Sequence, residues 1–146
     1  MLDAIQRTGD ARWPIVPRVA AGGPLLVFGL AHLAGALPME PLLRAAGWPA
    51  PNVMGVVGSA VEAIAGLLLL AGWMSRAGGA LGAGAMAAAI AVHLAIPDDR
   101  WPQPGSGLAG PEPAGMFVLA WAVLACCGVV VVVGSGVWGK DRGQVA

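Results

Sequence analysis

Three ionisable side chains lie inside otherwise apolar stretches of this chain: His32, Glu62 and His93. Carboxyl and imidazole groups are the ones that move protons near neutral pH, and two histidines on different helices are also a known haem ligation. Glu62 is the most informative of the three. It sits about midway along an apolar run from Val53 to Trp73, where an unpaired carboxylate costs several kcal/mol. A charge placed there has a partner or a task. Counted from the outer ends of their stretches at 1.5 Å per residue, His32 is about 7 Å deep, Glu62 about 13 Å and His93 about 4 Å. Side chains lean toward the N-terminus of their helix, which narrows these differences and makes a carboxylate–histidine contact reasonable. Ser59 adds a hydroxyl beside Glu62, and Gly55, Gly58, Ser59, Glu62 and Gly66 share one helix side by three- and four-residue spacing.

This constellation has a functional and a structural reading. The functional one is a proton-handling or polar-headgroup site, for example one that hydrogen-bonds a quinone or receives its protons. The structural one is a hydrogen bond that fixes helix packing, which weighs more for His32 and His93 because imidazoles near helix ends reach interfacial water. A bis-histidine haem is weighed and not favoured, since two lone histidines lack supporting spacing and glycine-rich faces serve tight packing equally well. Asp98 and Asp99, beside Arg100, read as a solvated loop terminus, and no metal site is expected. Cys126 and Cys127 are adjacent, project about 100° apart on a helix and are poorly placed to bridge, so they read as small packing residues. CxxC, CxxCH and Cys/His zinc patterns do not occur, nor do flavin, dinucleotide or iron–sulfur motifs. No catalytic residue is assigned, and no cofactor of the chain's own is expected beyond a quinone contact.

The elements that position these residues follow from composition. Of 146 residues, 58% are hydrophobic and 11% charged, with a mean hydropathy of +0.76, unlike a water-soluble domain. Four apolar stretches, near 18–37, 53–73, 77–96 and 114–138, each supply about the 20 residues that cross a hydrocarbon core roughly 30 Å thick. The expected fold is all-α, an integral membrane four-helix bundle forming a single domain over 1–146. Eight basic and eight acidic residues leave no net charge, which excludes a nucleic-acid role. Asp3, Asp10, Pro14 and Pro17 argue against a cleaved signal, so the N-terminal segment is expected to be retained. Arg7, Arg12, Arg18, Arg76, Lys140 and Arg142 fall on one side of the spans and only Arg44 and Arg100 on the other, which puts both termini in the cytoplasm. Trp13, Trp48, Trp73, Trp101 and Trp138 fall at or near span ends, as interfacial rings do, and Trp121 lies within the fourth span.

The turn around Ser75 and Arg76 is short, so the second and third spans form an antiparallel hairpin. Residues Met39 to Trp48 suggest a short interfacial helix, whereas Pro97 to Pro113 is too rich in proline and glycine for regular structure and reads as a cap or partner-binding loop. Gly55, Ser59 and Ala63, and Gly78, Ala80, Gly82 and Gly84, have the spacing that lets helices approach closely in lipid. The runs Leu67–Leu70 and Val129–Val133 suit lipid or another subunit.

In this frame the sequence resembles the DoxX and DoxX-like family of small four-helix bacterial membrane proteins. The resemblance rests first on Val61-Glu62-Ala63-Ile64-Ala65-Gly66-Leu67-Leu68-Leu69-Leu70-Ala71-Gly72-Trp73-Met74-Ser75-Arg76, an acidic residue, glycine, leucine run, glycine and basic turn. Arg18, Gly22 and Gly29 add family-like spacing, with His32 where many members carry a lysine. Gly134-Ser135-Gly136-Val137-Trp138-Gly139-Lys140-Asp141 is similar to the family's closing Gly-x-Gly and later aspartate, with Gly139-Lys140 in place of its Ser-Leu. The resemblance implies a link to membrane oxidoreductase assemblies and carries over Glu62 alone as a site residue. The expected function is a small, non-catalytic accessory subunit of a respiratory or quinone-linked oxidoreductase complex in the bacterial inner membrane, contacting lipid and other membrane subunits. The alternatives are a structural lipid- and protein-binding scaffold, or a small transporter.

Overall fold

A computed structural model of the protein describes residues 12–97, 101 and 113–139. Among them all regular structure is helical: α1 (Ile15–Leu33), α2 (Glu40–Ala45), α3 (Pro51–Ala71), α4 (Ser75–Ala95) and α5 (Pro113–Val133). Four of these are long and apolar enough to cross a membrane, by length and composition: α1, α3, α4 and residues 114–133 of α5. The fifth, α2, is the short helix expected between Met39 and Trp48.

Each boundary has a local cause. The first span stops at Leu33, short of the expected Leu37, because Gly35 turns left-handed (φ +74°) and the amides of Gly35 and Ala36 fold back onto the carbonyls of His32 and Ala31. The last stops at Val133 rather than Trp138 because Gly134 (φ +82°) leaves the helix. Between α3 and α4, Gly72 (φ +65°) closes a Schellman turn in which Trp73 N–H donates to the Leu68 carbonyl at 3.2 Å. Most of the loop expected over Pro97 to Pro113 lies outside the described residues, as do Arg7, Lys140 and Arg142.

The four long helices form a ring in the order α1, α3, α4, α5, each packing on its two neighbours and hardly on the one opposite. Sequential neighbours run antiparallel. The α1–α3 pair is the closest, and its seam is backbone on backbone. A Cβ on Gly29 would stand 2.5 Å from the Ala63 nitrogen, and one on Gly66 would stand 2.4 Å from the Leu26 nitrogen. Only glycine permits that approach, which replaces the missing hydrophobic drive between helices in lipid with dispersion contact. Across the ring, a Cβ on Gly82 would meet Cys127 Sγ and Leu25 Cδ1 at 2.8 Å each. Cys127 is fully buried there with Ala21, Leu25, Ala65, Leu69, Val123 and Val130. Gly84, expected at such a seam, and Gly58, expected on the Glu62 side of its helix, make no such approach: a Cβ on either would meet nothing within 4 Å.

The outward faces are apolar. Val27, Leu67, Leu94, Val118 and Val132 are more than half exposed, which suits a hydrocarbon surround and not water. The runs expected to face outward do so only in part, because each turns one side chain, Leu69 or Val130, wholly into the core. At the end of the bundle that carries the α3–α4 turn, Arg18 is 3% exposed. Its Nε donates to the Leu69 carbonyl at 3.0 Å and its Nη1 to the Ser135 carbonyl at 2.9 Å, with Nη2 3.4 Å from the Leu70 carbonyl. One guanidinium thus ties the start of α1 to the end of α3 and to the segment after α5, answering carbonyls that a helix end leaves open.

Candidate functional site

At the opposite end of the ring the helices part around a cavity of about 90 Å³, room for roughly three waters at about 30 Å³ each. Its walls are almost wholly apolar, and among the described residues the polar side chains on them are the three ionisable groups: His32 from α1, Glu62 from α3 and His93 from α4. Helical spacing delivers these residues together with their neighbours. Leu25, Phe28 and His32 recur on one face of α1, Met86, Ala89 and His93 on one face of α4, and Met116, Leu119, Ala120 and Val123 on one face of α5. Pro24, inside α1, also lines the space; its ring nitrogen cannot donate to the Ala20 carbonyl, which relaxes the helix there.

The short helix α2 forms the roof. Leu43 is buried against Val92 and Ile96 of the α4 end, and Met39 and Leu42 face the cavity. Glu40 and Arg44 pair on its exposed side, one turn apart. The reach of the roof is set by Ser59, whose Oγ donates to its own helix at the Gly55 carbonyl (2.6 Å) and lies 3.5 Å from Met39 Sδ. Ser59 is therefore buried beside the site without lining it, and its hydroxyl hydrogen is committed to α3.

Glu62 is 4% exposed. Its Oε2 lies 3.8 Å from His32 Nε2, beyond hydrogen-bond distance, and makes no hydrogen bond. The expected carboxylate–histidine contact is thus present as a close pair without a hydrogen bond. Both imidazoles are held from behind. His32 Nδ1 contacts the Leu37 carbonyl, and His93 Nδ1 lies 2.8 Å from the Ala89 carbonyl. A carbonyl only accepts, so each Nδ1 carries a hydrogen, and in the neutral ring each Nε2 then keeps its lone pair. Phe28 lies beside His32, and Trp101 and Phe117 beside His93, with ring centroids 5.4 to 6.3 Å apart. Chemically the cavity offers two acceptor nitrogens and one carboxyl in a low-dielectric pocket edged by aromatic rings.

Sequence reasoning grouped His32, Glu62, His93 and Ser59; the first three line the cavity, and Ser59 is buried beside it against Met39. It passed over Met39, Met86, Met116 and the aromatic neighbours. The signal was there for Met86, seven residues before His93, and for Phe28, four before His32. Among the described residues, no group of three or more His, Cys, Asp or Glu side chains could hold a metal ion. Compared with known proteins, the chain matches no family model, no curated protein and no solved structure.

Proposed function

We propose that the protein is a small accessory subunit of a quinone-linked oxidoreductase complex, held in the bacterial inner membrane by four spans with both termini in the cytoplasm, and related to the DoxX-like proteins. The observation that carries this reading is that the Glu62–His32 pair and His93 line one cavity with no other polar side chain among the described residues on its walls. A ring with an oxygen at each end and a long apolar tail suits such a site: acceptor nitrogens for hydroxyl groups, aromatic edges for the ring, and lipid outside for the tail. When bound, a quinone supplies two-electron, two-proton chemistry. His32 and His93 accept hydroxyl hydrogens at Nε2 because their Nδ1 hydrogens are engaged by Leu37 and Ala89. Glu62, whose Oε2 stands beside His32 Nε2, takes or returns a proton at that same nitrogen's end of the cavity, and the apolar walls keep water from the exchange. Electrons pass to or from a partner subunit.

The same geometry also supports a scaffold, because Glu62 and His32 join α1 to α3 next to the Gly29 contact. Glu62→Gln separates the two roles. It keeps the shape and a hydrogen-bonding group but cannot exchange a proton. A proton-handling Glu62 predicts intact complex on native gels with quinone-linked activity of the membranes reduced on the order of 10²-fold. Loss of the complex itself would indicate the scaffold, and normal complex with normal activity would contradict both.

A further inference from the structure

Three of the chain's six methionines, Met39, Met86 and Met116, line the same cavity as both of its histidines. They come from the segment leading into α2, from α4 and from α5, so no sequence spacing gathers them. Thioether sulfur is a soft, neutral ligand that selects Cu(I) over the harder divalent ions, and imidazole binds copper through whichever nitrogen its backing hydrogen bond leaves free. Here both backing bonds are made by backbone carbonyls on Nδ1, the arrangement that orients a metal-ligating histidine and leaves Nε2 to the metal. Neutral ligands leave the single charge of Cu(I) to be balanced in a low-dielectric interior. The buried Glu62 Oε2, without a hydrogen bond, stands beside one of those nitrogens to balance it. We propose that this cavity binds one Cu(I) ion through His32, His93 and thioether sulfur from Met86 and Met116, with Glu62 as counter-charge. The site does not depend on the quinone reading.

The test is anaerobic titration of the purified full chain in mild detergent with Cu(I), against a colorimetric Cu(I) chelator, followed by X-ray absorption at the copper edge. The expected result is one Cu(I) per chain, a first shell containing both nitrogen and sulfur, and no displacement by excess Zn(II). Met86→Leu and Met116→Leu, close in volume, each lower the affinity at least tenfold, whereas the Cys126→Ala/Cys127→Ala protein binds as before. Binding no tighter than by empty micelles, a shell of nitrogen and oxygen only, or loss of the ion in the cysteine variant would overturn the proposal. The absorption spectrum of the unaltered protein decides the matter even where a leucine variant does not fold.

Discussion

The side chains that matter most here are ionisable groups surrounded by apolar ones, and each is held in a way that fixes what it can do. His32 and His93 are committed at Nδ1 and available at Nε2. Glu62 is neither bonded nor solvated at Oε2. That two histidines and a carboxyl share one end of the bundle was legible from counting residues, because depth along a helix is linear in sequence. The role of Ser59 was not, since the choice between its own carbonyl and a site depends on a side-chain rotation. Arg18 was likewise read as a topological charge and as part of the family-like spacing, without a role in the fold. Its guanidinium instead sits among the Leu69, Leu70 and Ser135 carbonyls, 51 to 117 residues away, a convergence that no local pattern announces. Replacing it tests that role. Arg18→Met exposes at least two buried carbonyls, at about 1–3 kcal/mol each, and lowers the midpoint of thermal unfolding in detergent. Arg18→Lys keeps the charge without the planar fork and falls between the two. An Arg18→Met protein as stable as the parent would remove Arg18 from the account of the fold.

Among the elements, the α1–α3 pair sets the geometry of the site, because Gly29 brings α1 against Ser59 and Ala63 next to Glu62. The small-residue spacing showed that close packing would occur without showing which glycines would make it. Gly58 and Gly66 look alike in sequence, yet one faces open space and the other a backbone. Their alanine variants therefore differ. Gly66→Ala forces a Cβ against the Leu26 nitrogen, which no rotamer change relieves, and costs about 1–3 kcal/mol or more. Gly58→Ala meets nothing and gains about 0.5–1 kcal/mol of helix propensity. Chemical or thermal unfolding of the two variants in the same detergent measures the difference, and equal stabilities would mean the seam is not formed by Gly66. The span ends were read four and five residues late, at Leu37 and Trp138, because hydropathy continues past the glycine that ends the helix. Where Gly35 and Gly134 adopt positive φ, backbone conformation overrides composition.

Taken as a whole molecule, four apolar helices in a ring bury a small core and leave broad apolar faces outward, the division expected when lipid surrounds the chain. The all-α class and the number of spans followed from composition alone, since nothing else satisfies backbone groups over stretches of that length and hydropathy. The cavity did not follow, because it depends on how far the helix ends diverge under α2 and on side chains drawn from five segments. Its position at one end of the ring, with α2 on its wall and apolar side chains lining it, suits a ligand with a polar head and an apolar tail. The most direct test of that claim is photolabelling of the purified protein with an azido-quinone, followed by peptide mapping. A quinone site predicts label within residues 24–42, 86–93 or 116–123, suppressed by excess unlabelled quinone and weakened in Glu62→Gln. Label spread over the outward faces, or label that unlabelled quinone does not displace, would contradict it.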